Sequence, residues 1–214
     1  MPLLPVSLNL KGRCCVVIGG GRVAVRKIAT LLEAGAKVRL IAPQIEPRLK
    51  QLAQASRIEW KPRQWKKCDL DRAWLVIAAT GDREVNRKIK TEASRKKIWV
   101  NAVDDPENCT VIFPAHFSRG GIQIAVSTSG QSPALARKIK EELESEWSLN
   151  AGKALEVIAQ FRRQVKTKLA DPEQRFRFWD QALQPKVLKL IRQGKTAEVK
   201  RALQAALAKF LRVK

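Results

Sequence analysis

Three consecutive glycines between an apolar run and an amphipathic stretch constrain this chain more than any other feature. Arg13 to Ile18 reads as a short buried strand, Gly19-Gly20-Gly21 follows, and the apolar spacing then predicts a helix from about Val23 to Ala34, closed by Gly35. Gly19-x-Gly21-x-x-Ala24 has the spacing of a phosphate loop in the context such a loop needs. The first glycine permits the tight bend, the second lets backbone approach a pyrophosphate, and the small third residue lets helix and strand pack closely. Unpaired N–H groups at the helix start then face the phosphates. A dinucleotide site at residues 19–24 is the first expectation.

The pattern that follows extends this unit. Lys37 to Ala42 is a second strand stopped by Pro43, Glu46 to Ala55 a helix, and Arg57 to Trp60 a further short strand. Ala73 to Ala79 is a clear strand, Asp82 to Lys97 a basic amphipathic helix, and Ile98 to Asn101 a short returning strand. Alternation of this kind predicts an α/β fold with a Rossmann-like, doubly wound parallel sheet. The rhythm then changes. Thr110 to Phe117 and Gly121 to Ser127 are strand-like runs separated only by Ser118-Arg119-Gly120, a gap suited to an antiparallel hairpin. Ser132-Pro133 supplies an N-cap and a first-turn proline for a helix running to about Glu146. From Asn150 onward apolar residues repeat only at helical spacing, which predicts three or four short helices. The expected organisation is a nucleotide domain over 1–112, a small α+β hairpin-plus-helix segment over 113–149, and a basic helical domain over 150–214.

At the end of the second strand an acidic residue is the usual partner of the ribose hydroxyls, and here the strand ends Ile41-Ala42-Pro43-Gln44. Gln44 can hydrogen-bond a ribose but carries no charge to repel a 2′-phosphate, so the residues leave NAD and NADP both open. Arg22 stands where it reaches a phosphate or, equally, solvent.

The formal net charge is +22, split as +11 over residues 1–150 and +11 over the far shorter 151–214. Such charge favours anionic partners, among them nucleic acid and polycarboxylates, and says nothing of fold. A basic tail that grips nucleic acid behind a nucleotide-sensing domain is therefore the alternative function, although the tail carries no DNA-reading motif. The four cysteines, at 14, 15, 68 and 109, form no CxxC pair, and His116 is the one histidine, so no metal cage is expected. No stretch has the roughly 18 consecutive apolar residues of a membrane span, and Met1 to Pro5 lacks the marks of a signal sequence. A soluble, cytoplasmic protein is the expectation.

Read together, several segments resemble one family. They are Val17-Ile18-Gly19-Gly20-Gly21-Arg22-Val23-Ala24 with Lys27, Leu31 to Ala36, Ala42-Pro43, Ala78-Ala79-Thr80 and Asn86. Further on come Val100 to Pro106, Phe113-Pro114-Ala115, and Val126 to Ala136. In order and spacing over roughly residues 3 to 145 they are similar to the precorrin-2 dehydrogenases, which also occur as the N-terminal module of sirohaem synthases. The resemblance implies NAD-dependent oxidation of precorrin-2 to sirohydrochlorin, and in bifunctional members insertion of ferrous iron to give sirohaem. It also implies a homodimer built through the segment after the nucleotide domain. Its proton-handling residue falls on Asp104, and its nucleotide contacts on Arg22, Val23, Pro43 and Gln44, beside Gly19 and Gly21, with Thr80 and Asn101 near the same cleft. With 214 residues there is no room for a methyltransferase module, so the methylation that makes precorrin-2 is expected on another chain.

This assignment agrees with elementary chemistry. Removing a hydride from a partly reduced macrocycle leaves a cation that must lose a proton, and a carboxylate near the ring accepts it. Asp104 lies just beyond a strand end of the parallel sheet, where ligands bind in such folds. Asp105, its neighbour, suits a turn. Ser127, Thr128, Ser129 and Gly130 offer hydroxyls and N–H groups for substrate carboxylates, or alternatively a helix-capping turn. His116 is expected to be a half-buried structural residue of a strand.

Overall fold

The computed structural model describes residues 3–212, so the reading of Met1 and Pro2, and of the tail beyond 212, lies outside the described residues. Five strands form one parallel sheet: β1 (Cys14–Ile18), β2 (Lys37–Ile41), β3 (Glu59–Lys61), β4 (Leu75–Ala78) and β5 (Trp99–Ala102), in the order β3-β2-β1-β4-β5. Three α-helices connect them: α1 (Arg22–Glu33), α2 (Pro47–Gln54) and α3 (Arg83–Arg95). The doubly wound sheet expected from the alternation is the one observed.

Side-chain alternation along β1 assigns the two faces. Cys15 and Val17 join Val38, Leu40, Leu75 and Ile77 under Ala24, Ile28 and Leu31 of α1 and Leu49 of α2. Val16 and Ile18 join Ile41, Val76, Ala78, Val100 and Ala102 under Ile89 and Ala93 of α3. A sheet covered on both faces needs near-continuous apolar strands, and Leu75-Val76-Ile77-Ala78 is buried throughout. Helix α3 starts where Asp82 accepts from the N–H groups of Glu84 and Val85, at 2.8 and 3.2 Å.

The chain divides into two compact units, residues 3–113 and 114–212 of those described. The second opens with an antiparallel hairpin of β6 (Ala115–Arg119) and β7 (Ile122–Val126), followed by α4 (Pro133–Ser145), α5 (Ala151–Lys168), α6 (Pro172–Ala182), α7 (Pro185–Arg192) and α8 (Thr196–Arg212). The hairpin sits differently from its sequence reading. Ser118 and Arg119 belong to β6, and the turn is Gly120-Gly121, with Gly120 at φ +61°. Thr110 to Pro114 is not a strand. The N–H groups of Thr110 and Val111 both donate to the Val100 carbonyl, at 2.8 and 3.1 Å, which ties this stretch to β5 as a loop. The tail comprises four helices, of which α5 and α8 are long rather than short. Their core gathers Phe161, Val165, Leu169, Phe178, Leu203 and Leu207, with Phe178 edge-on to Trp179 and Phe210.

Candidate functional site

Parallel strands end side by side, and the C-terminal ends of β1, β2 and β4 border a cleft of about 590 Å³. Gly19, Gly20 and Gly21 line it from β1; Ala42, Pro43 and Gln44 from β2; Ala79, Thr80 and Gly81 from β4. Each glycine of the loop has its own reason. Gly19 takes φ +109°, and a Cβ there would overlap the Ala79 carbonyl. A Cβ on Gly20 would overlap the Gln44 carbonyl and reach 2.7 Å from Ile45 Cγ2. On Gly21 a Cβ would meet nothing within 4 Å, because that backbone faces open space. The spacing motif treats Gly20 as a free position; the fold makes it one of the two most confined.

Gly21 is also the N-cap of α1. No side chain caps the helix start and no acidic residue occupies its first turn, so its N–H groups and positive dipole end are left for an anion. A diphosphate fits this arrangement in both shape and charge. Arg22 stands exposed at the first helical position, and Val23 follows half-buried.

Arg63, Gln64 and Trp65 form the remaining wall of the cleft beyond β3, and no carboxylate lines it. Sequence reasoning missed these three; no local pattern announces them. Arg63 is held from behind by the buried Asp69 through paired hydrogen bonds of 2.6 and 2.7 Å. That bond holds the Asp69 carboxyl below its usual range, helped by the Lys66 N–H, and raises Arg63 in turn.

The other expected nucleotide residues divide. Thr80 lines the cleft, but its hydroxyl is engaged with Asn86 Oδ1 at 2.7 Å. Asn101 is not brought to the cleft. It is buried, and its amide donates to the Val111 carbonyl at 3.0 Å, so it braces the loop after β5. Cys109 completes that brace, accepting from the Ala102 N–H at 3.2 Å, and burial pushes its thiol pKa up.

Two residues beyond β5, Asp104 is exposed and adopts φ +57°, a left-handed conformation that costs an ordinary residue about 1–2 kcal/mol and that aspartate tolerates better than most. Neighbouring Asp105 is the turn residue: its carboxylate accepts from Asn108 Nδ2 at 2.7 Å, and its carbonyl from the Asn108 N–H at 3.1 Å. Lys27, on α1, places its Nζ 4.1 Å from the Phe113 ring centroid. Burial pushes the Lys27 pKa down, with Arg26 adding to it and Cys109 and Asp104 opposing.

Ser127 to Gly130 belong to the second unit and are largely satisfied within their own turn. Thr128 Oγ1 donates to the Ser132 carbonyl and accepts from the Ser132 N–H, at 3.0 and 3.1 Å, while Ser132 caps α4. Ser129 and Gly130 both take positive φ. His116 is exposed on β6 rather than half-buried, because the alternation puts Phe117 on the covered face. A larger groove of about 670 Å³ runs between Trp65 and α3, lined by Lys66, Lys67, Arg87 and Lys88 together with Glu84 and Glu92. Among the described residues no cluster of three metal-ligating side chains occurs, and no helix is long and apolar enough to cross a membrane.

A parallel sheet with a glycine loop feeding an uncapped helix start, and a cleft across the strand ends, defines a dinucleotide-binding protein of the Rossmann class. Comparison with known proteins agrees: a family described as "Putative NAD(P)-binding" matches residues 6–115, just over half of the chain, and the chain belongs to this family. Residues 119–146 match the family "Sirohaem biosynthesis protein central", and residues 150–207 the "Sirohaem synthase dimerisation region". The chain is 40% identical over 210 residues to siroheme synthase 1 of Serratia proteamaculans, covering 98% of this chain and 44% of that one. It is 42% identical over 200 residues to the siroheme synthase of Pseudomonas fluorescens strain SBW25, covering 92% and 43%. It thus spans less than half the length of these relatives. A solved structure, SirC, precorrin-2 dehydrogenase, superposes with TM-score 0.71 at 25% identity, covering 98% of this chain and all of that one.

Proposed function

We propose that this chain oxidises precorrin-2 to sirohydrochlorin in sirohaem biosynthesis, with NAD as the acceptor. The observation that carries the reading is the pairing of an uncapped phosphate loop with a carboxylate, Asp104, held in a left-handed turn just past β5, in a chain matched end to end by a precorrin-2 dehydrogenase.

The strand order distributes the roles. Gly21 and the start of α1 take the diphosphate, and Pro43, Gln44 and Arg63 border the adenosine side at β2 and β3. The nicotinamide side then falls toward β4 and β5, where strands about 4.8 Å apart put Asp104 two strands from the phosphate loop. NAD, when bound, accepts a hydride from the macrocycle. Asp104 takes the proton that leaves the adjacent carbon, so the substrate loses two hydrogens in all. A positioned base of this kind contributes about 10²–10⁴ in rate. Exposure keeps the Asp104 carboxylate open to a bulky ring, and the chain's +22 charge draws in a substrate rich in carboxylates.

The match of residues 150–207 to a dimerisation region favours a homodimer through the second unit over a tail that grips nucleic acid. The name siroheme synthase on the relatives supports a further step, ferrous iron insertion, with Asp104 receiving the displaced pyrrole protons.

The test is to give the purified protein precorrin-2 and NAD and to follow NADH and sirohydrochlorin. Equal yields of the two are expected, formed about 10²- to 10⁴-fold more slowly by Asp104→Ala; no sirohydrochlorin from the parent refutes the reading. Metal uptake by sirohydrochlorin without NAD, measured separately, decides the iron step. Sedimentation gives the oligomeric state.

A further inference from the structure

We infer that Lys27 is a substrate-binding residue whose ammonium receives a carboxylate of the tetrapyrrole on the Asp104 side of the site; this rests on the function proposed above. The helix position is the first argument. Buried Ala24, Ile28 and Leu31 mark the inner stripe of α1, and Lys27, three residues after Ala24 and four before Leu31, borders that stripe where a wholly structural helix would carry an apolar residue. The lysine lies half-buried there, with Nζ 4.1 Å from the Phe113 centroid. A ring face steadies a cation without consuming its N–H donors.

The second argument is the missing counter-ion. Of the other half-buried lysines, Lys61, Lys96 and Lys140 each lie within salt-bridge distance of a carboxylate, and Lys90, among the described residues, does not. Lys27 forms no such pair among the described residues, although it sits in the electrostatic neighbourhood of Asp104 and Cys109. Partial burial strips water from the ammonium, which strengthens a hydrogen bond to an incoming carboxylate. Asp104 remains beyond salt-bridge reach, so the two groups present a cation and a base as separate contacts for one ligand.

Lys27 also stands apart from the dinucleotide. It does not line the cleft at Gly19 to Gly21, and it stands five residues into α1 from Arg22, about 7.5 Å along the axis, beside the segment that follows β5. A carboxylate fixed there orients the macrocycle so that its oxidisable carbon faces Asp104.

The experiment titrates sirohydrochlorin and NAD separately into the parent, Lys27→Met and Lys27→Arg, with thermal melts alongside. Lys27→Met is expected to weaken sirohydrochlorin binding about 10- to 100-fold, the worth of one charge-assisted hydrogen bond, and to leave NAD affinity unchanged. Lys27→Arg restores most of the loss. If Lys27→Met binds sirohydrochlorin as the parent does, the lysine is only a clamp on Phe113 and the inference is overturned. If Lys27→Met does not fold, Lys27→Gln, which keeps a polar chain without charge, serves in its place with the same two outcomes. A parent that binds NAD but no sirohydrochlorin instead refutes the proposed function, and this inference with it.

Discussion

Gly20 and Gln44 are in backbone contact: a methyl group on Gly20 would overlap the Gln44 carbonyl oxygen, and the next peptide is joined to it through the Glu46 N–H, which donates to the Gly20 carbonyl at 2.9 Å. The phosphate loop and the end of β2 are therefore one rigid piece. Gly20→Ala is expected to force them apart, costing about 1–3 kcal/mol and most of the NAD binding. Gly21→Ala meets no protein atom within 4 Å, so it is expected to melt like the parent yet lose about tenfold or more in NAD affinity, because its methyl fills the phosphate space. Thermal denaturation and NAD titration of both variants check this. A Gly21→Ala protein with undiminished affinity contradicts the placement of the diphosphate.

Asp104 offers a separation of stability from activity. At φ +57° glycine relaxes the backbone but loosens the unfolded chain, so Asp104→Gly is expected to stay within about 1 kcal/mol of the parent. Asp104→Asn suits the same conformation. Both are expected to lower the oxidation rate about 10²- to 10⁴-fold without weakening NAD binding. Full activity in Asp104→Asn would assign the proton to another group.

The Arg63–Asp69 pair makes stability depend on pH in a defined direction. Asp69 is held below its usual range in the folded chain, chiefly by Arg63, so the folded chain gives up this proton more readily than the unfolded chain does. The contribution is complete above the ordinary carboxylate range and is lost as pH falls through the lower folded value. Asp69→Asn is expected to lower Tm by several degrees at neutral pH and to flatten the acid limb of the Tm–pH curve, as measured by calorimetry. An unchanged acid limb would show that other carboxylates govern it.

Gln44 bears on coenzyme choice. No carboxylate lines the cleft, so nothing there repels a 2′-phosphate. Gln44→Asp is expected to raise NAD preference over NADP about tenfold or more, since one like-charge contact near the ribose is worth a kcal/mol or greater. Parallel titrations with the two coenzymes measure the ratio, and an unaltered ratio would mean that the ribose lies elsewhere.

Where sequence reading succeeded and where it stopped follows from the range of the interactions. Asp105 and Asp104 are adjacent and chemically alike; the sequence suited Asp105 to a turn, and the 3-10 turn at Pro106–Asn108 engages its carboxylate with Asn108. Asn101 was placed near the cleft by the resemblance, yet the loop bearing Val111 folds back on it and uses its amide. The hairpin turn falls at Gly120-Gly121 rather than over Ser118 to Gly120, because Ser118 and Arg119 suit strand or turn equally. Arg63, Gln64 and Trp65 had no signal of their own; the pairing of β3 with β2 carries them to the cleft.

What the sequence determined by itself is local. Continuous apolar runs, a helical period and glycines at fixed offsets specify a strand, a turn and a helix whose start has no cap, and these interactions span only a few residues. Tertiary structure alone decided which groups share the site. The order β3-β2-β1-β4-β5 brings Gly20 against Gln44 and leaves the cleft without a carboxylate, and the loop after β5 brings Phe113 to Lys27. Such contacts join segments far apart in the chain, and burial of two sheet faces rather than any local preference sets their geometry.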